Sequence, residues 1–189
     1  AHHKVFLGTF VDDPDDMRHL PTVRGWCADL CAVPLQPTTA KLRSLSGLLR
    51  GEALTLGYYR SQPLADWVAR TAATQGIDAV VVFSSSMAPY ALAHPDLPML
   101  ADLVDVDSAK WSEYAGRHAW PMSWLYRREG ARLLAYERDV VARARRAFLV
   151  TDKEVALFSQ LAPESRGQVL ALGNGVDADF FRPDPQRPN

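Results

Sequence analysis

The sequence predicts an α/β fold with a mainly parallel sheet, and three observations carry that prediction. Short apolar, β-branched runs recur along the 189 residues, and stretches with helical periodicity separate them. Ile77-Asp-Ala-Val-Val-Val-Phe83 is nearly continuous in apolar residues, as in a parallel strand buried on both faces. Glycine, proline and capping residues fall between the runs, where right-handed crossovers need their turns.

In chain order, Lys4 to Val11 reads as a buried strand, ended by Asp12-Asp13-Pro14 and followed by a helix from Pro14 to Cys27. Leu30 to Leu35 is a second short strand, with Pro34 pointing to a sheet edge. Thr38 to Arg50 is helical, with Leu42, Leu45, Leu48 and Leu49 on one side and basic residues on the other. Gly51 to Gln62 is less regular and contains Tyr58 and Tyr59. Pro63 opens a helix over Leu64 to Gln75 that Gly76 ends. The strand Ile77 to Phe83 is expected at the centre of the sheet. Met99 to Val106 is the next strand, and Asp107-Ser108 starts a helix to Ala119. One long helix then runs from Met122 to Arg146. Ala147 to Val150 is a strand, Thr151-x-x-Glu154 a capping box, and Val169 to Leu172 the last strand.

Composition excludes some functions. A net charge of −1 does not suit a nucleic-acid binder, so no nucleic-acid partner is expected. Cys27 and Cys31 have no metal-ligand spacing around them, so they read as reduced thiols of a cytosolic chain. No stretch approaches the roughly 18 apolar residues of a membrane span. There is no G-x-G-x-x-G, P-loop or H-E-x-x-H, which removes the direct case for dinucleotide, nucleoside-triphosphate or zinc-protease chemistry. No metal site and no bound cofactor are expected.

Chemistry in such a fold gathers beyond the carboxyl ends of the strands. Ser84, Ser85 and Ser86 stand there after the expected central strand, as holders of sugar hydroxyls or an anion, or as a capped turn. Asp105 and Asp107 end the next strand, either as substrate-hydroxyl acceptors and a base or as helix caps. On the long helix, Glu137 falls among Tyr126, Leu133, Leu134, Val140, Val141 and Ala144, so a carboxylate sits in the core stripe. It needs a hydrogen-bonding partner or a cleft. Arg128, Arg132, Arg143 and Arg146 lie opposite. They form a ridge that is either a solvated face or a docking surface for a membrane or protein.

Four segments carry a resemblance. They are Leu7-Gly-Thr-Phe-Val-Asp-Asp-Pro14, Val82-Phe-Ser-Ser-Ser-Met-Ala-Pro-Tyr90, the stretch Asp102 to Ala115, and Leu172-Gly-Asn-Gly-Val-Asp-Ala-Asp-Phe-Phe-Arg-Pro183. Together they resemble glycosyltransferase family 4, retaining enzymes of the GT-B architecture, and within it the sugar transferases of exosortase-linked exopolysaccharide loci. The resemblance implies two Rossmann-like domains facing across a cleft. Residues 1–182 would be a partial N-terminal acceptor-binding domain and residues 183–189 the start of the interdomain linker. The donor-binding domain would follow.

By position in the family pattern, Ser84 to Ser86 would line the cleft where many relatives carry a histidine; Tyr58 and Tyr59, from their place in the irregular loop, are expected to contact acceptor. Asn174, Gly175 and Asp177 would lie at the domain junction near a nucleoside-diphosphate sugar donor. Glu129 and Glu137 are not the paired glutamates of the donor motif, which belongs to the second domain. Relatives also begin with a further strand, loop and helix, so a rearranged sheet or a homodimer through an exposed strand edge is expected.

The implied function is transfer of a hexose to a lipid-linked or exopolysaccharide acceptor, at the inner face of the membrane, with this piece inactive by itself. The alternatives are a non-catalytic α/β module docking through its arginine-rich helix and, more weakly, a nicotinamide oxidoreductase.

Overall fold

The structure is a computed structural model and describes residues 3–181. The expected linker, residues 183–189, lies outside the described residues, as does His2.

The fold is α/β with two parallel sheets. Strands β1 (Phe6–Val11) and β2 (Asp29–Pro34) pair in register, Leu7 opposite Leu30. Strands β3 (Val80–Phe83), β4 (Met99–Val104), β5 (Arg146–Leu149) and β6 (Val169–Ala171) form a second sheet in that order. The helices are α1 (Leu20–Arg24), α2 (Pro37–Ser44), α3 (Ser46–Arg50), α4 (Leu54–Tyr58) and α5 (Gln62–Thr74), followed by α6 (Ala88–Leu92), α7 (Asp107–Arg117), α8 (Met122–Arg143) and α9 (Asp152–Leu161).

The core lies on the four-stranded sheet. Ala101 and Ala147 face each other in register on the central strands and are fully buried. Small side chains there let Val140 and Val141 of α8 and Phe158 of α9 pack close, and dense packing rewards that approach. Tight contact recurs between α7 and α8. A Cβ on Gly130 would lie 2.7 Å from the Ser112 hydroxyl and 3.0 Å from the Ser108 carbonyl, so only glycine fits.

Four expectations need correction. The region Thr38 to Arg50 is two helices, α2 and α3, that meet at Leu45. The helix expected from Pro14 to Cys27 is a 3-10 turn, Pro14–His19, followed by the short α1. The long helix stops at Arg143, because Ala144 turns extended and Arg146 already opens β5. Most consequential, the strand expected at the centre of the sheet is an edge. Only Val80–Phe83 is strand, and Val81 and Phe83 are 71% and 66% exposed while Val82 between them is buried.

That edge faces a gap. A cavity of about 1030 Å3 separates β3 from the free edge of β1, with Leu64 and Trp67 of α5 in its lining. The Lys4 ammonium beside β1 donates to the Gln75 carboxamide just ahead of β3 (3.3 Å), so the two strands start at the same end. Chain order therefore runs outward from the cavity on both sides, through β1 and β2 on one and β3 to β6 on the other. The apolar run was legible as a strand, but burial of both its faces needed a neighbour that the described residues do not supply.

Unpaired strand edges invite pairing with another chain. Self-association that grows with concentration is expected in analytical ultracentrifugation, and Val81→Lys, which sets a charge on the β3 edge, should abolish it. A monomer at every concentration would show that these edges do not pair between copies.

Candidate functional site

Two buried glutamates of α8 position the site. Glu129 and Glu137 are each 1% exposed and eight residues apart, so both look out from one side of the helix. Glu129 accepts from the Leu54 and Thr55 amides (2.7 and 2.9 Å) and from the Thr55 hydroxyl (2.8 Å), which caps α4. Glu137 accepts from the Ser108 amide (3.1 Å) and hydroxyl (2.5 Å), which caps α7. An anion at a helix N-terminus satisfies free amides and opposes the macrodipole. The core carboxylate expected at Glu137 thus finds the hydrogen-bonding partner it needs. The capping expected from Asp107 itself is not formed: Val106 is the cap residue and Asp107 sits in the first turn.

From these anchors the site residues follow. Helix α4 ends in Tyr58, whose ring stacks edge-on against Tyr59 (centroids 5.0 Å apart). The Tyr90 hydroxyl donates to the Tyr59 carbonyl (2.6 Å) and accepts from the Ser61 amide (2.8 Å), holding the loop. Burial, then the charges of Tyr58, Asp12 and Asp107, push the Tyr59 phenol above its usual range, so it stays a neutral donor.

Two strained residues end neighbouring strands. Ser84, after β3, has φ of 71°, and Val104, the last residue of β4, has φ of 67°. A β-branched residue there is a marked outlier, and such strain costs about 1–3 kcal/mol per residue. Asp102 ties both down. Its carbonyl accepts from the Ser84 amide (2.7 Å) and its carboxylate from the Val104 amide (3.1 Å), where β4 slips register against β5.

The expected site residues divide. Ser84 and Ser86, their hydroxyls 3.0 Å apart, line the large cavity together with Tyr59. Ser85 does not: it is buried, and its hydroxyl has no partner among the described residues. Asp105 and Asp107 do converge, on the Lys110 ammonium at 2.8 and 3.2 Å, but through turns after β4 rather than side by side on one face of an extended strand. Desolvation works to lower the Lys110 pKa, yet the bonds from both aspartates outweigh it and hold the ammonium above its usual value. Asn174, Gly175 and Asp177 are exposed after β6, three strands from β3, so they join none of the others. The Asp177 carboxylate accepts from the Asp179 and Phe180 amides and closes its own turn.

Sequence reading missed Asp12, Asp102, Lys110 and Tyr90. Asp12 is the first residue past a strand's carboxyl end, which was the available signal; the others needed contacts distant in sequence or across a turn.

The arginine ridge is not one face. Arg128 turns inward to the Gly47 and Glu52 carbonyls (3.0 and 3.1 Å), Arg143 pairs with Asp139, and Arg146 belongs to β5. Among the described residues, no three His, Cys, Asp or Glu side chains gather as metal ligands. No helix among them is long and apolar enough to cross a membrane.

Compared with known proteins, the chain matches no family model, and no curated protein matches it.

Two predictions concern the anchors. Glu129→Ala leaves two helix-end amides without their acceptor and is expected to cost about 3 kcal/mol in urea unfolding. Glu137 titrates differently in the two states, since burial lifts its carboxyl from 4.5 to about 7 against the pull of the Ser108 bonds. A raised folded value means that its stabilising contribution is complete below 4.5 and is lost as pH rises through about 7. The loss is about 3 kcal/mol. Glu137→Gln keeps an acceptor and a donor for Ser108 and should flatten stability across that window; an unchanged slope would assign it to another group.

Proposed function

We propose that this chain is the acceptor-binding part of a retaining sugar transferase, which moves a hexose from a nucleoside-diphosphate sugar to a lipid-linked or exopolysaccharide acceptor. The observation that carries the reading is the convergence of Tyr59, Ser84 and Ser86 on one cavity, where chain order runs outward to both sides. Open α/β sheets bind ligands beyond the carboxyl ends of their strands, and Ser84 and Ser86 follow the carboxyl end of β3. The groups suit a polyol. Hydroxyls and a neutral phenol exchange hydrogen bonds with sugar hydroxyls, and Phe10, with its ring 5.7 Å from that of Tyr59, offers an apolar surface beside them.

Four segments of the sequence resemble glycosyltransferase family 4, and the parallel α/β architecture agrees with that resemblance. In this reading Asp105 and Asp107, neutralised in part by Lys110, stand beside the acceptor at the rim. The segment Asn174 to Asp177 serves the junction with a donor-binding half. Transfer needs that second half, because positioning and stabilisation of a leaving diphosphate require both walls of a cleft. We place the enzyme in the cytoplasm, on the inner face of the membrane, where nucleotide sugars and lipid-linked acceptors meet.

The test has two arms. Titration of the chain with a panel of alkyl glycosides should reveal a binder, weakened about tenfold by Tyr59→Ala or Ser84→Ala. A polypeptide that adds a donor half should consume one nucleotide sugar, and Asp105→Asn should cut its turnover without unfolding it. Failure of every glycoside to bind, together with no consumption of any nucleotide sugar, would remove the transferase reading.

A further inference from the structure

Helices α2 and α3 are amphipathic the wrong way round. An apolar stripe at i, i+3 and i+7 ordinarily faces the core. Here Leu42, Leu45 and Leu49 are 72%, 51% and 94% exposed, and the buried side is Ala40, Ser44 and Gly47. The small side is fixed in place. A Cβ on Gly57 would lie 2.9 Å from the Ser44 Cα, and the Arg43 guanidinium donates to the Gly57 and Tyr58 carbonyls (3.1 and 3.0 Å). The stripe cannot roll inward without breaking these contacts.

Helix α8 meets the small, buried side of α3. Arg128 ties the Gly47 carbonyl of α3 to α8, and Trp124 stands one turn earlier on that same side of the helix. Trp124 is 53% exposed, and Trp120, just before the helix, 81%. The surrounding charge is one-sided. Residues 37–60 hold four Lys and Arg against one Glu, and residues 118–132 hold three Arg against one Glu, in a chain of net charge −1. Glu52 is already paired with Arg60, and Glu129 is buried against α4, which leaves Lys41, Arg50 and Arg127 exposed at the margin.

We propose that this face seats on an anionic phospholipid bilayer. The leucines enter the acyl boundary, and the exposed Lys41 and Arg50 beside them meet lipid phosphates. An outward leucine stripe with a cationic margin matches the acyl and phosphate layers of that interface. Contact of this kind is independent of any sugar transfer, and it occupies a different surface from the large cavity.

The test is co-sedimentation of the full chain with vesicles of phosphatidylglycerol and phosphatidylcholine in equal parts, and with phosphatidylcholine alone. Binding is expected to the anionic vesicles, about tenfold weaker to the neutral ones, and weakened by salt. The double variant Leu42→Glu/Leu49→Glu should lose it by tenfold or more, while circular dichroism confirms the fold, since both side chains are exposed. Lys41→Glu/Arg50→Glu should remove the preference for anionic lipid. No pelleting with either vesicle, equal pelleting with both, undiminished binding by the folded leucine variant, or leucine-dependent self-association in place of vesicle binding would each overturn the proposal.

Discussion

The arrangement depends on α8 carrying two buried carboxylates. Glu129 and Glu137 are the only acidic side chains buried among the described residues, and each ends at another helix's N-terminus. An unpartnered carboxylate at that depth would cost several kcal/mol, so the two interactions are mutually enforcing. Helices α4 and α7 gain their missing acceptors, and α8 gains the donors that let it lie in the core. Because α4 leads to Tyr58 and Tyr59 and α7 begins at Asp107, the same pairings set where the candidate site residues stand. A third glutamate extends the pattern, since Glu154 of α9 accepts from the Val106 amide (2.7 Å).

Around these anchors the carboxyl ends of β3 and β4 are held in costly backbone conformations. Ser84 and Val104 sit at positive φ where glycine is the usual choice, and Asp102 supplies hydrogen bonds to both. Backbone of this kind persists only where surrounding contacts over-determine it, and of the two residues Ser84 lines the large cavity. Division of the sheet gives that cavity its size. The free edges of β1 and β3 face it, and exposed Val81 and Phe83 make one wall apolar while Ser84 and Ser86 make its end polar.

The arginines show how tertiary contacts redistribute a pattern. On a helical projection Arg128 and Arg132 belong with Arg143, yet Arg128 is drawn inward by the Gly47 and Glu52 carbonyls and Arg143 is neutralised by Asp139. Positive charge gathers instead beside the leucines of α2 and α3, where small buried residues leave the apolar stripe facing out.

The sequence by itself determined the alternation of strands and helices, the parallel class, the cap at Thr151, the turn at Gly76 and the presence of a carboxylate in the core stripe at Glu137. These follow from local propensity, from periodicity and from the cost of burying charge, all of which one segment expresses alone. Tertiary structure decided which strand is an edge, which helix end each glutamate caps, where Arg128 points and which side of α2 is buried. Each of those depends on what the rest of the chain supplies: Glu129 meets Leu54 from 75 positions away, and Val81 is exposed because no neighbour among the described residues covers it. The candidate site divides in the same way. Its strand-end serines and aspartates were legible from their position after apolar runs, whereas Asp102, Lys110 and Tyr90 emerged only from contacts that the fold creates.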